Sequence, residues 1–272
     1  MIMEQDTEDN IKKTIRLIKS YGQMRNYTIA FSGGKDSCVI DYLCKEAGCN
    51  FKLVYNNTTI DPRGTIAFVK KKGAIVQQPK HTFFDLVEKK GLPTMFRRFC
   101  CKELKEQYVS PFLITGVRKS ESVKRNQRYC SFEDSYAYSK KLITTRFHPI
   151  IHFTDADIEY IINSRQIECH PLYYDENGKF NVNKRLGCIA CPLQGDRGFR
   201  ELKDNPKFLK QLLKRCIIFH KNHGRTETDA YLNFIYNIFY SNHGLKKFQQ
   251  TFNGLFEYDP KEFIETKFNI QL

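Results

Sequence analysis

Residues 27–47 constrain the chain most. A short apolar run, YTIAF, leads into SGGKDS and then directly into a helical pattern over residues 36–47. Gly33 and Gly34 lack a Cβ, so the backbone there can turn sharply and approach a ligand closely. The helix that follows begins with unpaired N–H groups and a partial positive charge. An anion such as phosphate suits that position. Lys35 adds a mobile charge, and Ser32 and Ser37 add hydroxyl donors. The pattern differs from the common P-loop, G-x-x-x-x-G-K-[ST], because the lysine here precedes Asp36 and Ser37. A plain glycine turn would leave Lys35 and both serines idle. The loop therefore predicts a bound phosphate, with Asp36 beside Mg²⁺ if the ligand is ATP. A single carboxylate suffices for that ion, which keeps waters and uses phosphate oxygens.

The same alternation continues down the chain. An isoleucine stripe over residues 8–20 predicts a first helix. FKLVYN (51–56), AIVQQ (74–78) and PFLITGVR (111–118) predict three further strands. Between them, residues 61–73, with Pro62 near the start, and residues 82–91, with Thr82 as cap, predict helices. Residues 154–164 predict another, capped by Thr154. Strands alternating with helices predict an α/β fold, a doubly wound parallel sheet with helices on both faces. Ligands of such sheets bind beyond the carboxyl ends of the strands. The loops at 32–37 and 116–122 lie at two such ends and are expected to face one pocket. Arg118 and Arg125 flank KSES in the second loop, and a bidentate guanidinium suits phosphate or sulfate. Lys35, Asp36 and Arg118 are the candidate catalytic residues. Ser32, Gly33, Gly34, Lys35, Asp36, Ser37, Arg118 and Arg125 are the candidate nucleotide contacts.

After about residue 200 the pattern becomes helical and aromatic. Two domains are expected: residues 1–199, carrying the nucleotide loop and the cysteine elements, and a helical extension over 200–272. Leu209, Leu212, Leu213, Cys216, Ile217 and His220 fall on one helical face, which makes Cys216 a packing residue. Cys38, Cys44 and Cys49, in or beside the first loop's helix, read as structural.

Lysine and arginine number 44 against 30 acidic residues, leaving +14. That surplus favours an anionic partner, a nucleotide or a nucleic acid. No apolar run approaches the ~20 residues needed to span a bilayer, and the polar start MIMEQDTEDN is unlike a secretory signal. The expected setting is cytoplasmic, with no membrane partner. In that compartment the ten cysteines should be mostly reduced. Cys188 and Cys191 form C-x-x-C between a glycine and a proline, a common metal knuckle. Cys100 and Cys101, or one of them with Cys130, could complete a four-thiolate site for Zn²⁺ or an iron–sulfur cluster. Simple zinc sites usually space their ligands about two to four residues apart. The tandem pair therefore favours the cluster.

In order along residues 27–200, FSGGKDS, NNTTIDPRGTIAFV, RRFCCKELKE, GVRKSESVKR, PIIHFTDADIEYI and HPLYYDENGKFNVNKRLGCIACPL give the chain its resemblance. Together they resemble the phosphoadenosine phosphosulfate (PAPS) reductase family, within the PP-loop ATP pyrophosphatases of the adenine nucleotide alpha hydrolase type. The resemblance implies a doubly wound sheet binding an adenine nucleotide. It also implies a [4Fe–4S] cluster on the tandem and C-x-x-C cysteines, with Cys100 as fourth ligand beside Cys101, Cys188 and Cys191, and Cys130 in reserve. Two departures matter. Sulfonucleotide reductases carry a nucleophilic cysteine in a C-terminal E-C-G-L-H motif, which has no match here. They also often have a degraded loop, whereas SGGKDS is intact, as in enzymes that split ATP.

These features imply an ATP pyrophosphatase of sulfur transfer or sulfur metabolism, releasing AMP and pyrophosphate. The basic, aromatic stretches RRFCCKELK and VRKSESVKRNQRYC suit a tRNA or DNA acceptor, and a sulfur donor protein would be a further partner. One alternative is a true PAPS or adenylylsulfate reductase. Another is a nucleotide-binding module without turnover.

Overall fold

A computed structural model describes residues 2–49, 51–106, 110–136, 143–194, 196–240, 248–249 and 259–272. The chain forms two compact units that interleave along the sequence. The first comprises Met1–Asn57, Asp61–Gln78 and Lys105–Gly187; the second comprises Thr58–Ile60, Pro79–Leu104 and Cys188–Leu272. The sequence suggests a single boundary near residue 199. Instead, residues 79–104 and 188–199 group with the C-terminal helices, because Phe83, Leu86, Val87 and Leu104 bury in the same core as Leu209, Leu212 and Phe234.

The first unit is the expected α/β layer structure. Its strands are β1 (Thr28–Ala30), β2 (Lys52–Asn56), β3 (Ile75–Gln77), β4 (Phe112–Ile114), β5 (Phe132–Tyr136) and β6 (Ile143–Phe147). They lie in the order β3-β2-β1-β4-β6-β5. All neighbours are parallel except β5, which runs antiparallel to β6 with Phe132 opposite Phe147. Thr28 of β1 pairs with Lys52 on one side and Leu113 on the other. The chain winds outward through β2 and β3, then returns to the far side of β1 as β4. The loops after β1 and β4 thus flank the point where the winding reverses, where such sheets bind ligands.

Four helices of this unit are α1 (Ile2–Gly22), α2 (Lys35–Glu46), α3 (Thr65–Lys71) and, later in the chain, Asp155–Ser164. Ile11 and Ile18 anchor α1 to the core, and Cys38, Val39, Ile40, Leu43 and Cys44 anchor α2. The helix expected over 61–73 begins only after Gly64, which sits at φ 87°. Pro62 precedes it in a turn whose carbonyl accepts from Thr65. The antiparallel pair β5–β6 and the short helix Val123–Arg128 are absent from the sequence reading.

In the second unit, α4 (Phe83–Lys90) starts at a reciprocal cap: the Thr82 hydroxyl accepts from the Asp85 amide, and the Asp85 carboxylate accepts from the Thr82 amide. With the Val123 helix as α5 and the Asp155 helix as α6, the remaining helices are α7 (Asp196–Asp204), α8 (Pro206–Asn222), α9 (Glu227–Ile235) and α10 (Pro260–Phe268). Pro206 begins α8 as expected, although Asn205 makes no side-chain cap. On α8, Leu209, Leu212, Leu213, Cys216 and His220 are buried, which matches the predicted stripe. Among the described residues no helix is long and apolar enough to cross a membrane.

Candidate functional site

The glycine loop of the first unit is shaped by close packing. Gly33 adopts φ 74°, and a Cβ there would lie 3.0 Å from Val69 Cγ1 and 3.4 Å from Leu186 Cδ2. A side chain would therefore face both backbone strain and a clash. The Gly34 amide donates to Ser32 Oγ at 3.3 Å, and Ser37 Oγ donates to the Gly34 carbonyl at 2.8 Å. The Lys35 and Leu186 amides both donate to the phenol oxygen of Tyr173. Burial nevertheless holds that phenol protonated, with its pKa pushed up to about 12. Tyr173 thus pins the first turn of α2.

The other half of the site comes from the loop after β4. Arg118 is 1 % exposed. Its Nε donates to Asp36 Oδ1 at 2.7 Å, and one terminal nitrogen donates to Asp155 Oδ1 at 2.7 Å. The other terminal nitrogen donates to Ser120 Oγ at 2.9 Å and to the Phe153 carbonyl at 3.2 Å. Lys35 is 5 % exposed, and its Nζ lies 3.9 Å from carboxylate oxygens of both Asp36 and Asp155. Two cations and two carboxylates therefore balance at the head of α2 and the first turn of α6. Burial works against the charge on Arg118, but Asp36 and Asp155 outweigh it and hold the pKa above the ordinary arginine value. Gly116 permits this approach, since its Cβ would meet Asp36 Cβ at 3.0 Å.

Each guanidinium nitrogen is engaged by a protein group, which places Arg118 to position Asp36 and Asp155. Arg125, on α5, has a 40 % exposed side chain and forms an ion pair with Glu121. Among the described residues it makes no recorded contact with the glycine loop. Asp155 and Tyr173 are the residues that sequence reasoning missed. Asp155 follows a capping threonine and reads as an ordinary acidic first turn, while Tyr173 sits among other aromatics.

Two histidines of the same unit are buried and held neutral by burial. His148 Nδ1 shares a hydrogen bond with Thr115 at 2.7 Å, just beyond β4. His170 accepts at Nδ1 from the Leu172 amide. Cys38 is also buried, its thiol hydrogen-bonded with Cys169 and pushed well up by that contact and by burial.

Four of the candidate metal ligands, Cys100, Cys101, Cys188 and Cys191, belong to the second unit. The Cys100 thiol is pushed up by a hydrogen bond with Cys101, by burial, and by the charges of Cys101, Cys188 and Cys191. The four sulfurs are thus electrostatic neighbours, and a bound cation would reverse their mutual repulsion. Between Cys188 and Cys191, Ala190 takes the left-handed φ of 56°, uncommon for alanine. Its amide donates to Glu201, and Gln194 Nε2 donates to the Cys188 carbonyl. The donor set suits Zn²⁺ or an iron–sulfur cluster. As the side chains stand, no three His, Cys, Asp or Glu residues among the described ones are set at ligating spacing. Cys130 belongs to the first unit, exposed, with its thiol donating to the Phe132 carbonyl at 2.6 Å. Cys216 is 2 % exposed on α8, and burial pushes its thiol far up.

Fold and site together define a doubly wound α/β domain with a glycine–lysine loop at its switch point. Residues 26–194 match the Phosphoadenosine phosphosulfate reductase domain, and the chain belongs to that family. A relative in Methanocaldococcus jannaschii, the uncharacterized protein MJ0973, is 27% identical over 242 residues. That match covers 82% of this chain and 56% of the relative, so the chain spans little more than half of the curated relative's length. Among solved structures, a Candida glabrata FMN adenylyltransferase aligns at 15% identity, TM-score 0.44, over 65% of this chain and 62% of that one. A U34-tRNA thiolase from Methanococcus maripaludis with its [4Fe-4S] cluster aligns at 17% identity, TM-score 0.41, over 60% and 67%. At such scores neither neighbour bears on what this chain does.

Proposed function

We propose that the chain binds ATP at Ser32–Ser37 and cleaves it to AMP and pyrophosphate, activating an acceptor for replacement of oxygen by sulfur. The observation that carries this reading is the balanced set Lys35, Asp36, Arg118 and Asp155 at the switch point. Asp36 and Asp155 each keep a second carboxylate oxygen beyond the one bound to Arg118, and these would hold Mg²⁺ with its waters. Lys35 would take a phosphate oxygen, and the α2 N-terminus would add its field. In the reaction, an acceptor oxygen bonds to the α-phosphorus while the bond to the β-phosphate oxygen breaks and pyrophosphate leaves. A sulfur nucleophile from a donor protein then displaces AMP from the activated atom. Cys101, Cys188 and Cys191, with Cys100 as fourth, would hold a [4Fe–4S] cluster, or Zn²⁺ in the alternative. Such a group supplies a site for sulfide or a structural clamp. A sulfonucleotide reductase needs a reactive thiol, and the buried, protonated Cys216 suits that role poorly. Arg125 and Cys130 have no role in this scheme.

The test is mass-spectrometric detection of AMP and pyrophosphate from anaerobically purified protein with Mg²⁺ and ATP. Lys35→Ala should lose a charge-assisted contact worth ~1.5–3 kcal/mol, seen as weaker nucleotide binding. Unchanged affinity in that variant would remove the loop from the site.

A further inference from the structure

His148 sits where the loop that carries Arg118 meets the segment that leads to Asp155, and the scheme above gives it no part. The loop after β4 is laced to residues 147–153. The Thr115 amide donates to the Phe147 carbonyl, the Lys119 amide to the Ile151 carbonyl, and the Arg118 and Ser120 side chains both to the Phe153 carbonyl. At the root of this lacing Thr115 Oγ1 meets His148 Nδ1 at 2.7 Å. His148 is 1 % exposed, and its Nε2 is buried without a hydrogen-bond partner among the described residues. The Glu133 carboxylate lies 3.8 Å from Nε2, beyond hydrogen-bond reach. The same Glu133 oxygen lies 3.6 Å from Arg146, directly opposite across β5–β6. The Tyr129 ring meets the imidazole edge-on. Glu133, Arg146 and Tyr129 are the charged and titratable groups that face the ring among the described residues. A hydrogen on Nε2 is attracted by the Glu133 carboxylate, whereas a lone pair there would be repelled. The neutral ring therefore carries its proton on Nε2 and accepts at Nδ1 from the Thr115 hydroxyl. Burial lowers the pKa of the ring, Glu133 raises it and Arg146 lowers it, with a net shift downward.

A second proton enters at Nδ1. That nitrogen then donates, and Thr115 must turn from donor to acceptor. The imidazolium also attracts Glu133, and a charge-assisted contact of about 2.7–2.9 Å needs a shift of about 1 Å from the present 3.8 Å. Gly116 leaves little slack for such a shift, since even a Cβ there would lie 3.0 Å from Asp36 Cβ. Movement at Thr115 is therefore passed to Asp36 and Arg118. A misplacement of about 1 Å can cost a site about 100-fold. We propose that His148 is a positioning residue: neutral, it holds Arg118, Asp36 and Asp155 in the arrangement that binds nucleotide, and protonated, it draws that arrangement apart. The inference rests on the ATP reading for its ligand and names how the same site is regulated. By linkage, protonation opposes nucleotide binding, and bound nucleotide opposes protonation to the same degree.

The experiment is an NMR titration between about pH 8 and pH 5, the range in which histidines change charge, following the His148 ring nitrogens and the Arg118 Nε–H. In the free parent the Arg118 resonance should shift with the midpoint of the His148 ring. In His148→Asn, whose Oδ1 still accepts from Thr115 but cannot titrate, it should stay in place. Glu133→Gln removes the attracting charge without touching the ring, and the His148 midpoint should fall. Calorimetry with Mg²⁺ and ATP gives the second readout. From about pH 7.5 to pH 5.5 the parent should lose about 5- to 150-fold more affinity than His148→Asn, a comparison in which titration of ATP itself cancels. A ring that stays neutral down to about pH 5, an Arg118 resonance indifferent to the ring, or a midpoint unchanged in Glu133→Gln overturns the inference. Equal loss of affinity with pH in parent and His148→Asn also overturns it and leaves His148 a packing residue. If Arg118 follows the ring but the protein binds no ATP at either pH, the positioning role stands and the ATP reading falls.

Discussion

Arg118 separates two ideas about how a basic residue serves an anion site. Placed on the surface of a loop, it would grip phosphate and its loss would weaken binding alone. Placed as it is, with Asp36 and Asp155 each 2.7 Å away, it holds two carboxylates at once. Arg118→Ala should therefore cost stability as well as nucleotide affinity. Breaking a buried ion pair costs about 3–5 kcal/mol, and the lower end applies because the Asp155 side chain is 53% exposed and can rehydrate. Arg118→Lys should recover part of the stability, since the charge remains, but not the paired geometry. Urea denaturation beside nucleotide titration checks both; full stability in Arg118→Ala would return the residue to the gripping role. The place of Arg118 just beyond a strand end was legible in the sequence. Its partners were not, because Asp155 comes 37 residues later and only the folded sheet brings it near.

At the scale of elements, the loop–helix junction after β1 was legible because glycines, lysine and serines cluster where an apolar run ends. The antiparallel β5–β6 edge was not. FEDSY and ITTRF mix polar and apolar residues without a clean alternation, and an edge strand need bury only part of one face. The glycines that permit the site give a sharp test. Gly116→Ala would place a Cβ 3.0 Å from Asp36 Cβ and 3.4 Å from its carbonyl carbon. Overpacking of this kind costs roughly 1–3 kcal/mol, and the shift falls on the first turn of α2. Nucleotide affinity should drop in a variant that still folds; parental affinity would show that the turn yields without harm to the site. The capping threonines give a second, pH-dependent test. Hydrogen bonds from Thr82 hold the Asp85 pKa below its ordinary value. Burial pushes Asp157 up, but hydrogen bonds from Thr7 and Thr154 outweigh it, and its net shift is also downward. A carboxylate with a lowered folded pKa stabilises fully above its unfolded value of about 3.9, and the contribution fades as pH falls through the folded value. Urea midpoints should thus decline gently below about pH 6.5, where the unfolded chain protonates histidines that burial keeps neutral in the fold, and fall further below about pH 4. Asp157→Asn, which cannot titrate, should make that fall shallower; an unchanged slope would remove the Asp157 carboxylate from the acid response.

For the whole molecule, the alternation of strands and helices made one unit legible, while the interleaving of the other was hidden. Residues 79–104 look like one more helix of the α/β series, yet their apolar side chains share a core with α8 and α9. That core also contains Cys188 and Cys216 and packs against Cys100 and Cys191. A metal group on Cys100, Cys101, Cys188 and Cys191 would tie the 79–104 segment to the 188–272 segment within one unit. Metal binding to a folded site adds directly to stability. Its removal should therefore loosen this unit selectively. Anaerobic protein should carry iron and sulfide, and Cys101→Ser, Cys188→Ser or Cys191→Ser should lose them together with activity. Hydrogen exchange of the stripped protein should speed up in α4, α8 and α9 while the central strands β1, β2 and β4 keep their protection. Cys216→Ser, which places a hydroxyl in an apolar core, should lose about 1–3 kcal/mol yet retain metal and turnover. A metal-loaded, folded and inactive Cys216→Ser would instead make the chain a thiol-dependent reductase. One zinc per chain without iron would make the four cysteines a structural clamp, with the same exchange pattern on chelation. Equal exchange in both units after metal loss would show that the cysteines do not tie the second unit together at all.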